Sequence, residues 1–292
     1  GRTGIVTTAV EHPAVLETCR RLQEEGFRVT LLPADEHGLV RVADAEAAIN
    51  EETAVVSIMT VNNETGARQP VEEIGAVARS RGALMHTDAV QALGHEDIRL
   101  AEWPVDLASF SSHKVGGPTG VGLLYVRDGT PFRPLLHGGP QERGRRAGTE
   151  NVPAVAAFAR ALELACAERE ERTRQISRVR DALLAGFAAE LPEGSWAVNG
   201  HPDKRVPHIL NVSFPGVPSA TMVMNLDLEG VAVSAGSACS AGSLRPSHVL
   251  AAMGLPEERV RSAVRFSFGL GNTTEEAAKV AKLVATILAR LS

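Results

Sequence analysis

Three residue types in this sequence could do chemistry together: a lysine before a glycine-rich turn, a carboxylate closing an apolar run, and a cysteine among very small neighbours. Lys114 stands in Phe110-Ser111-Ser112-His113-Lys114-Val115-Gly116-Gly117-Pro118, where glycines let backbone approach a ligand closely. A lysine amine freed of its proton by burial or by nearby positive charge attacks carbonyl groups to form an imine. By itself such a lysine reads far more readily as part of an ordinary surface loop. Asp88 follows the apolar run 83–87. A carboxylate there is costly to bury without a partner.

A protonated ring nitrogen would be that partner. Pyridoxal phosphate (PLP) needs an acid against its pyridine nitrogen, because the protonated ring is the electron sink for a carbanion at the substrate's alpha carbon. Strand, carboxylate, strand, lysine is the order that a PLP site on a parallel sheet requires. Cys239 lies in Ser234-Ala235-Gly236-Ser237-Ala238-Cys239-Ser240-Ala241-Gly242-Ser243, whose small residues favour an exposed thiol over a packed one. Cys19 and Cys166 sit in helical patterns among apolar neighbours and read as packing residues. Arg265 interrupts the strand pattern Val264-Arg265-Phe266-Ser267-Phe268. Its planar fork suits a carboxylate, and a solvent-facing strand residue is the other reading.

These groups need elements to position them. Apolar, β-branched runs at 29–32, 54–59 and 83–87 alternate with helical patterns at 43–49 and 71–81. That alternation predicts an α/β fold with a mostly parallel sheet covered by helices. Polar clusters follow the strand-like runs at 62–64, 88–91 and 111–114. In open α/β sheets ligands bind beyond the carboxyl ends of strands, so these clusters should share one crevice. A long Ala-, Glu- and Arg-rich helical stretch over 153–190 leads into strands at 209–214, 231–234 and 264–268 and helices at 219–228 and 274–290. The expected division is a large domain over 1–170 and a smaller α+β domain over 171–292, which carries the Cys239 loop at 234–246.

Composition sets outer limits. The 292 residues are 44% hydrophobic, enough for a substantial core, and a formal net charge of -5 without a long basic run disfavours nucleic acid as a partner. Three scattered cysteines suggest neither a zinc site nor a disulfide framework and fit a reduced, cytoplasmic setting. No stretch approaches the roughly 20 apolar residues that span a bilayer.

Six motifs then bear on family: Glu11-His12-Pro13-Ala14-Val15, Val61-Asn62-Asn63-Glu64-Thr65-Gly66, His86-Thr87-Asp88-Ala89-Val90-Gln91, Ser111-Ser112-His113-Lys114, Arg146-Ala147-Gly148-Thr149-Glu150-Asn151 and Gly236-Ser237-Ala238-Cys239. In order and spacing they resemble the cysteine desulfurases of the NifS/IscS class, within the class V aminotransferases of PLP fold type I. The resemblance implies that Lys114 carries PLP and later shuttles protons, that Asp88 pairs with the ring nitrogen and that Gln91 bonds the phenolic oxygen. It implies that His12 stacks on the ring, although His12 before Pro13 also reads as a helix cap. Asn63 would contact cofactor or substrate, Ser111 and His113 would hold the phosphate, and Thr149 would reach the phosphate of a neighbouring subunit in a homodimer. Arg265 would anchor the carboxylate of L-cysteine, and Cys239 would take its sulfur as a persulfide, leaving L-alanine.

Onward, the resemblance implies a sulfur-acceptor protein, either an iron–sulfur scaffold or a thiolation enzyme for tRNA or cofactors, and an iron–sulfur cluster held transiently at Cys239. Family members would carry roughly ninety residues ahead of His12, including a loop at a helix N-terminus that binds the PLP phosphate. Other readings are a selenocysteine lyase or aminotransferase of the same superfamily, or a truncated, non-catalytic scaffold.

Overall fold

The computed structural model describes residues 1–236 and 246–291, so Cys239 lies outside the described residues. The first half alternates strand and helix: β1 (Gly4–Thr8), α1 (Pro13–Glu24), β2 (Arg28–Leu32), α2 (Val42–Ala48), β3 (Thr53–Ser57), α3 (Val71–Ser80) and β4 (Leu84–Asp88), followed by β5 (Leu107–Ser111) and β6 (Gly122–Val126). They form one six-stranded sheet in the order β2-β1-β3-β4-β5-β6. Strands β1 to β5 pair in parallel, and β6 returns antiparallel along β5.

Local chemistry sets the helix ends. Pro13 occupies the first turn of α1, where its missing N–H costs nothing, and His12 Nδ1 accepts from Ala14 N at 3.2 Å. Helix α3 opens with Glu72 and Glu73 and closes with Arg79, complementing the helix dipole at both ends. The core of this sheet is built from apolar residues, many of them small or β-branched, such as Val6, Val56, Ile58 and Ala108. Such continuous apolar strands belong to sheets buried on both faces.

A short turn α4 (Gln141–Gly144), in which Glu142 and Arg143 take left-handed φ of 49° and 57°, precedes α5 (Val152–Ala167) and α6 (Arg169–Glu190). The helical stretch expected over 153–190 is therefore two helices broken at Glu168, whose N–H turns back to Leu164 O. Cys166 is a second departure. The apolar composition around it does not bury it, because α5 turns Phe158 and Ala165 inward and leaves the next residue exposed. Cys19 is buried as expected.

The rest comprises β7 (Ala197–Asn199), β8 (Ile209–Ser213), α7 (Ser219–Leu228), α8 (His248–Ala252), α9 (Glu257–Arg261), β9 (Ala263–Ser267) and α10 (Thr274–Leu291). Strands β7-β8-β9 make a separate antiparallel sheet. The apolar run at 231–234 is not a strand. Only Ser234 pairs, in an isolated bridge to Arg265. A second core centres on fully buried Phe187, which meets Phe214 and Phe266 with ring centroids 5.7 and 5.8 Å apart. Helix α6 crosses α10 so closely that a Cβ on Gly186 would lie 2.5 Å from Ala281 Cβ. A third cluster, Val10 with Val249, Leu250, Met253, Val260 and Ala263, fastens the exit of β1 to α8, α9 and the start of β9. Among the described residues no helix is long and apolar enough to cross a membrane.

Candidate active site

Four of the five parallel strands lead into a polar group. His12 follows β1, Asn63 follows β3, Asp88 closes β4, and Ser111 closes β5. Together with Gln91, His113, Lys114 and Arg265 of the antiparallel sheet, they line a cleft of about 560 Å³. Eight of the ten expected site residues thus meet in one place. Thr149 is exposed and does not line the cleft of its own chain.

The Asn63 loop is held by its neighbour. Asn62 Oδ1 accepts from Glu64 N and Thr65 N, both at 2.9 Å, while Asn62 Nδ2 donates to Val10 O at 2.9 Å. That fixes buried Asn63, whose carbonyl accepts from Arg265 Nη1 at 2.9 Å. Arg265 N also donates to Ser234 O at 2.7 Å. The guanidinium is thereby set against the first sheet from the second.

Lys114 sits in the single 3-10 turn Ser112–Val115 that ends β5. Gly116 closes this turn at φ 81°, a region that favours glycine. Gly117 is required for another reason: a Cβ there would lie 2.2 Å from Ser112 Oγ. The close approach that the glycines permit is to Ser112, within the turn itself. The lysine lines the cleft and remains exposed.

The electrostatics are those of a half-closed polar floor. Burial pulls the His12 imidazole below its ordinary pKa against the pull of Asp88, and Lys114 and His248 push it further down. A neutral ring offers an uncharged face for stacking, so capping α1 and meeting a ligand are compatible roles for His12. One Asp88 oxygen accepts from Val90 N at 3.0 Å. His86, two residues before Asp88 on the same strand face, is fixed between Ser57 Oγ at 2.8 Å and Ser109 Oγ at 2.9 Å, and burial lowers its pKa as well. Sequence reasoning quoted His86 in a motif but gave it no role. The strand periodicity from Asp88 was the signal available.

Glu11 was also passed over. Its Oε1 accepts from Met59 N at 2.8 Å and from Thr8 Oγ1 at 3.1 Å, and Oε2 is buried without a partner among the described residues. Burial raises its pKa to about 8, with Asp88 adding to the rise. An acid whose pKa is higher folded than unfolded supports stability that is intact below the ordinary 4.5 and is lost as pH climbs through about 8. Glu11→Gln keeps the shape and removes the titration. In urea denaturation the parent should lose up to about 1.4 kcal/mol per pH unit more than the variant between about pH 5 and 8. Parallel slopes would show an ionised Glu11.

A family model described as aminotransferase class-V matches residues 1–280. The cysteine desulfurase IscS of Methanosarcina thermophila is 44% identical over 287 residues, which cover 98% of this chain and 70% of that relative. The chain belongs to the cysteine desulfurase family of class-V aminotransferases. A solved NifS-like protein superposes with a TM-score of 0.91 at 38% identity, over 99% of this chain and 76% of its own. A second structure, SspA in complex with cysteine, aligns at a TM-score of 0.78 and 34% identity, over 92% of this chain and 74% of its own. Family membership carries cysteine desulfurase function, and the family is PLP-dependent. The α/β fold expected from the alternating strand and helix patterns, with its mostly parallel sheet, is the fold found, and a separate small antiparallel sheet accompanies it.

Proposed function

We propose that this chain converts L-cysteine to L-alanine, that Lys114 and Asp88 hold PLP at the strand ends, and that Cys239 accepts the sulfur as a persulfide. The single observation that carries the reading is the convergence of Asp88, Lys114, His12, Asn63 and Arg265 on one cleft from five strands of two sheets. The donor set fits PLP. Asp88 is a carboxylate for a ring nitrogen, Gln91 has an amide for a phenolic oxygen, and Ser111 and His113 offer polar groups for a phosphate. Asn63 Oδ1 is buried with no partner among the described residues, an unmet acceptor in the cleft wall.

PLP, when bound, supplies an electron sink that loosens bonds around the substrate's alpha carbon. The chain supplies the rest. Arg265, turned by Asn63 O, presents a fork to the carboxylate of L-cysteine. Lys114 holds or moves a proton at its Nζ as general base and acid. The Cys239 thiolate attacks the substrate sulfur; the new S–S bond forms as the carbon–sulfur bond breaks, and that electron pair passes to carbon, which takes up a proton. Cys239 is oxidised to the persulfide and the carbon skeleton is reduced to alanine, so no outside oxidant is needed.

We read residues 1–170 as the cofactor-bearing large domain and 171–292 as the small one, assembled in a homodimer in which Thr149 serves the neighbouring site. The persulfide then passes to an acceptor protein in iron–sulfur cluster assembly or in tRNA or cofactor thiolation. Adding PLP to the purified chain should raise a visible absorbance band, and L-cysteine should then give alanine and a labelled persulfide. No band and no alanine would refute the reading and favour a scaffold without catalysis. Turnover of selenocysteine but not cysteine would make it a lyase of the other amino acid.

A further inference from the structure

Glu64 has no part in the chemistry just described, yet its buried carboxylate is bonded to a residue far along the chain. The residue is 3% exposed. Ser247 Oγ donates to its Oε2 at 2.5 Å, across 183 positions of sequence. A Cβ built on Gly236 would lie 3.2 Å from the same oxygen, so the carboxylate also rests against the backbone there. Gly236 and Ser247 stand at either end of the stretch that contains Cys239.

Further contacts secure the same two ends. Ser234 is bridged to Arg265, and Arg265 to Asn63 O next to Glu64. On the other side His248 Nε2 bonds Glu11 O at 2.9 Å, and Ser247 caps α8 by accepting from Leu250 N at 3.1 Å. Burial raises the Glu64 pKa, while the Ser247 hydroxyl, His248 and Arg265 pull it down. The Asn62 side chain, not the Glu64 carboxylate, holds the turn around residues 62–65. The carboxylate is therefore free to serve the contact with Ser247 and Gly236 rather than its own loop.

Resting on the proposed desulfurase reading, we propose that Glu64 is a positioning residue for sulfur acceptance: its carboxylate ties Ser247, at one end of the Cys239-bearing stretch, to the loop that carries Asn63, and Gly236 at the other end packs beside it. A nucleophile delivered from a tethered chain depends steeply on where its ends are fixed.

Glu64→Ala should lower kcat for alanine formation by about tenfold or more, leaving the KM for L-cysteine and the PLP absorbance at parent values. Glu64→Gln, which retains an acceptor oxygen for Ser247, should recover most of that loss. Ser247→Asp keeps an acceptor for the α8 cap but sets a second carboxylate against Glu64; it should lose kcat alone and regain it when combined with Glu64→Gln. In the chain without cofactor, hydrogen exchange at the Leu250 amide should quicken in Glu64→Ala.

A parent-like kcat in Glu64→Ala overturns the proposal. So does a KM or absorbance change that accompanies the lost kcat, which would place Glu64 in the construction of the pocket. Should Glu64→Ala fail to fold, the Ser247→Asp pair decides alone, an unrescued double variant overturning the proposal. A parent that makes no alanine at all refutes the desulfurase reading instead, while the exchange result still tests the tether.

Discussion

Lys114→Ala is expected to remove the absorbance band that PLP gives with the parent and to lower alanine formation by about 10³-fold or more. Two functions are lost with one amine. No other lysine among the described residues lines the cleft, so nothing of the same chemistry stands in for it. The fold should be untouched, because the side chain is exposed and the 3-10 turn is made by Ser112, Gly116 and Gly117. Exposed side chains away from such features change stability by about 0.5 kcal/mol or less. Thermal unfolding without cofactor therefore separates a chemical loss from a structural one. A variant that keeps band and turnover would take Lys114 out of the mechanism.

Cys239→Ser should separate the two halves of the reaction. Cofactor binding depends on the strand ends, so the band persists at parent intensity. Persulfide formation is lost, because a hydroxyl ionises far less readily than a thiol and is a far poorer nucleophile toward sulfur. Alanine formation should fall by about 10³-fold, a loss of the order seen when a nucleophile is deleted. Alkylation of Cys19 and Cys166 gives the internal comparison. Cys19 is buried, and burial raises its thiol pKa, so it stays inert; exposed Cys166 is labelled without loss of turnover. Parent-rate turnover by Cys239→Ser would move the sulfur acceptor elsewhere.

The parallel sheet was legible because its strands leave short apolar runs between helical patterns; 29–32, 54–59 and 83–87 each fall on or beside a strand. The run at 231–234 deceived for the same reason. Val231 and Val233 look like a strand, but they are partly buried against the second core without a ladder partner. The expected site residues that meet in the cleft carry their signal locally, as polar groups just past an apolar run. Glu11 and Glu64 do not. What makes Glu64 notable is a serine far along the chain and a glycine beside it, and no local pattern encodes a contact of that range. Cys166 shows the converse, for apolar neighbours in sequence said nothing about which way α5 faces.

The strand ends have a thermodynamic consequence. His12, Asn63, Asp88 and Ser111 each come from a different strand or its exit, and Arg265 comes from another sheet, so no partly folded chain owns the site. Ordering the sheet and building the binding surface are one event. A ligand that recognises this surface binds the native state alone, and mass action makes its saturation a stabilising force on every strand at once. The free cofactor concentration around the chain thereby becomes a determinant of how much of the protein survives, as well as how much of it turns over.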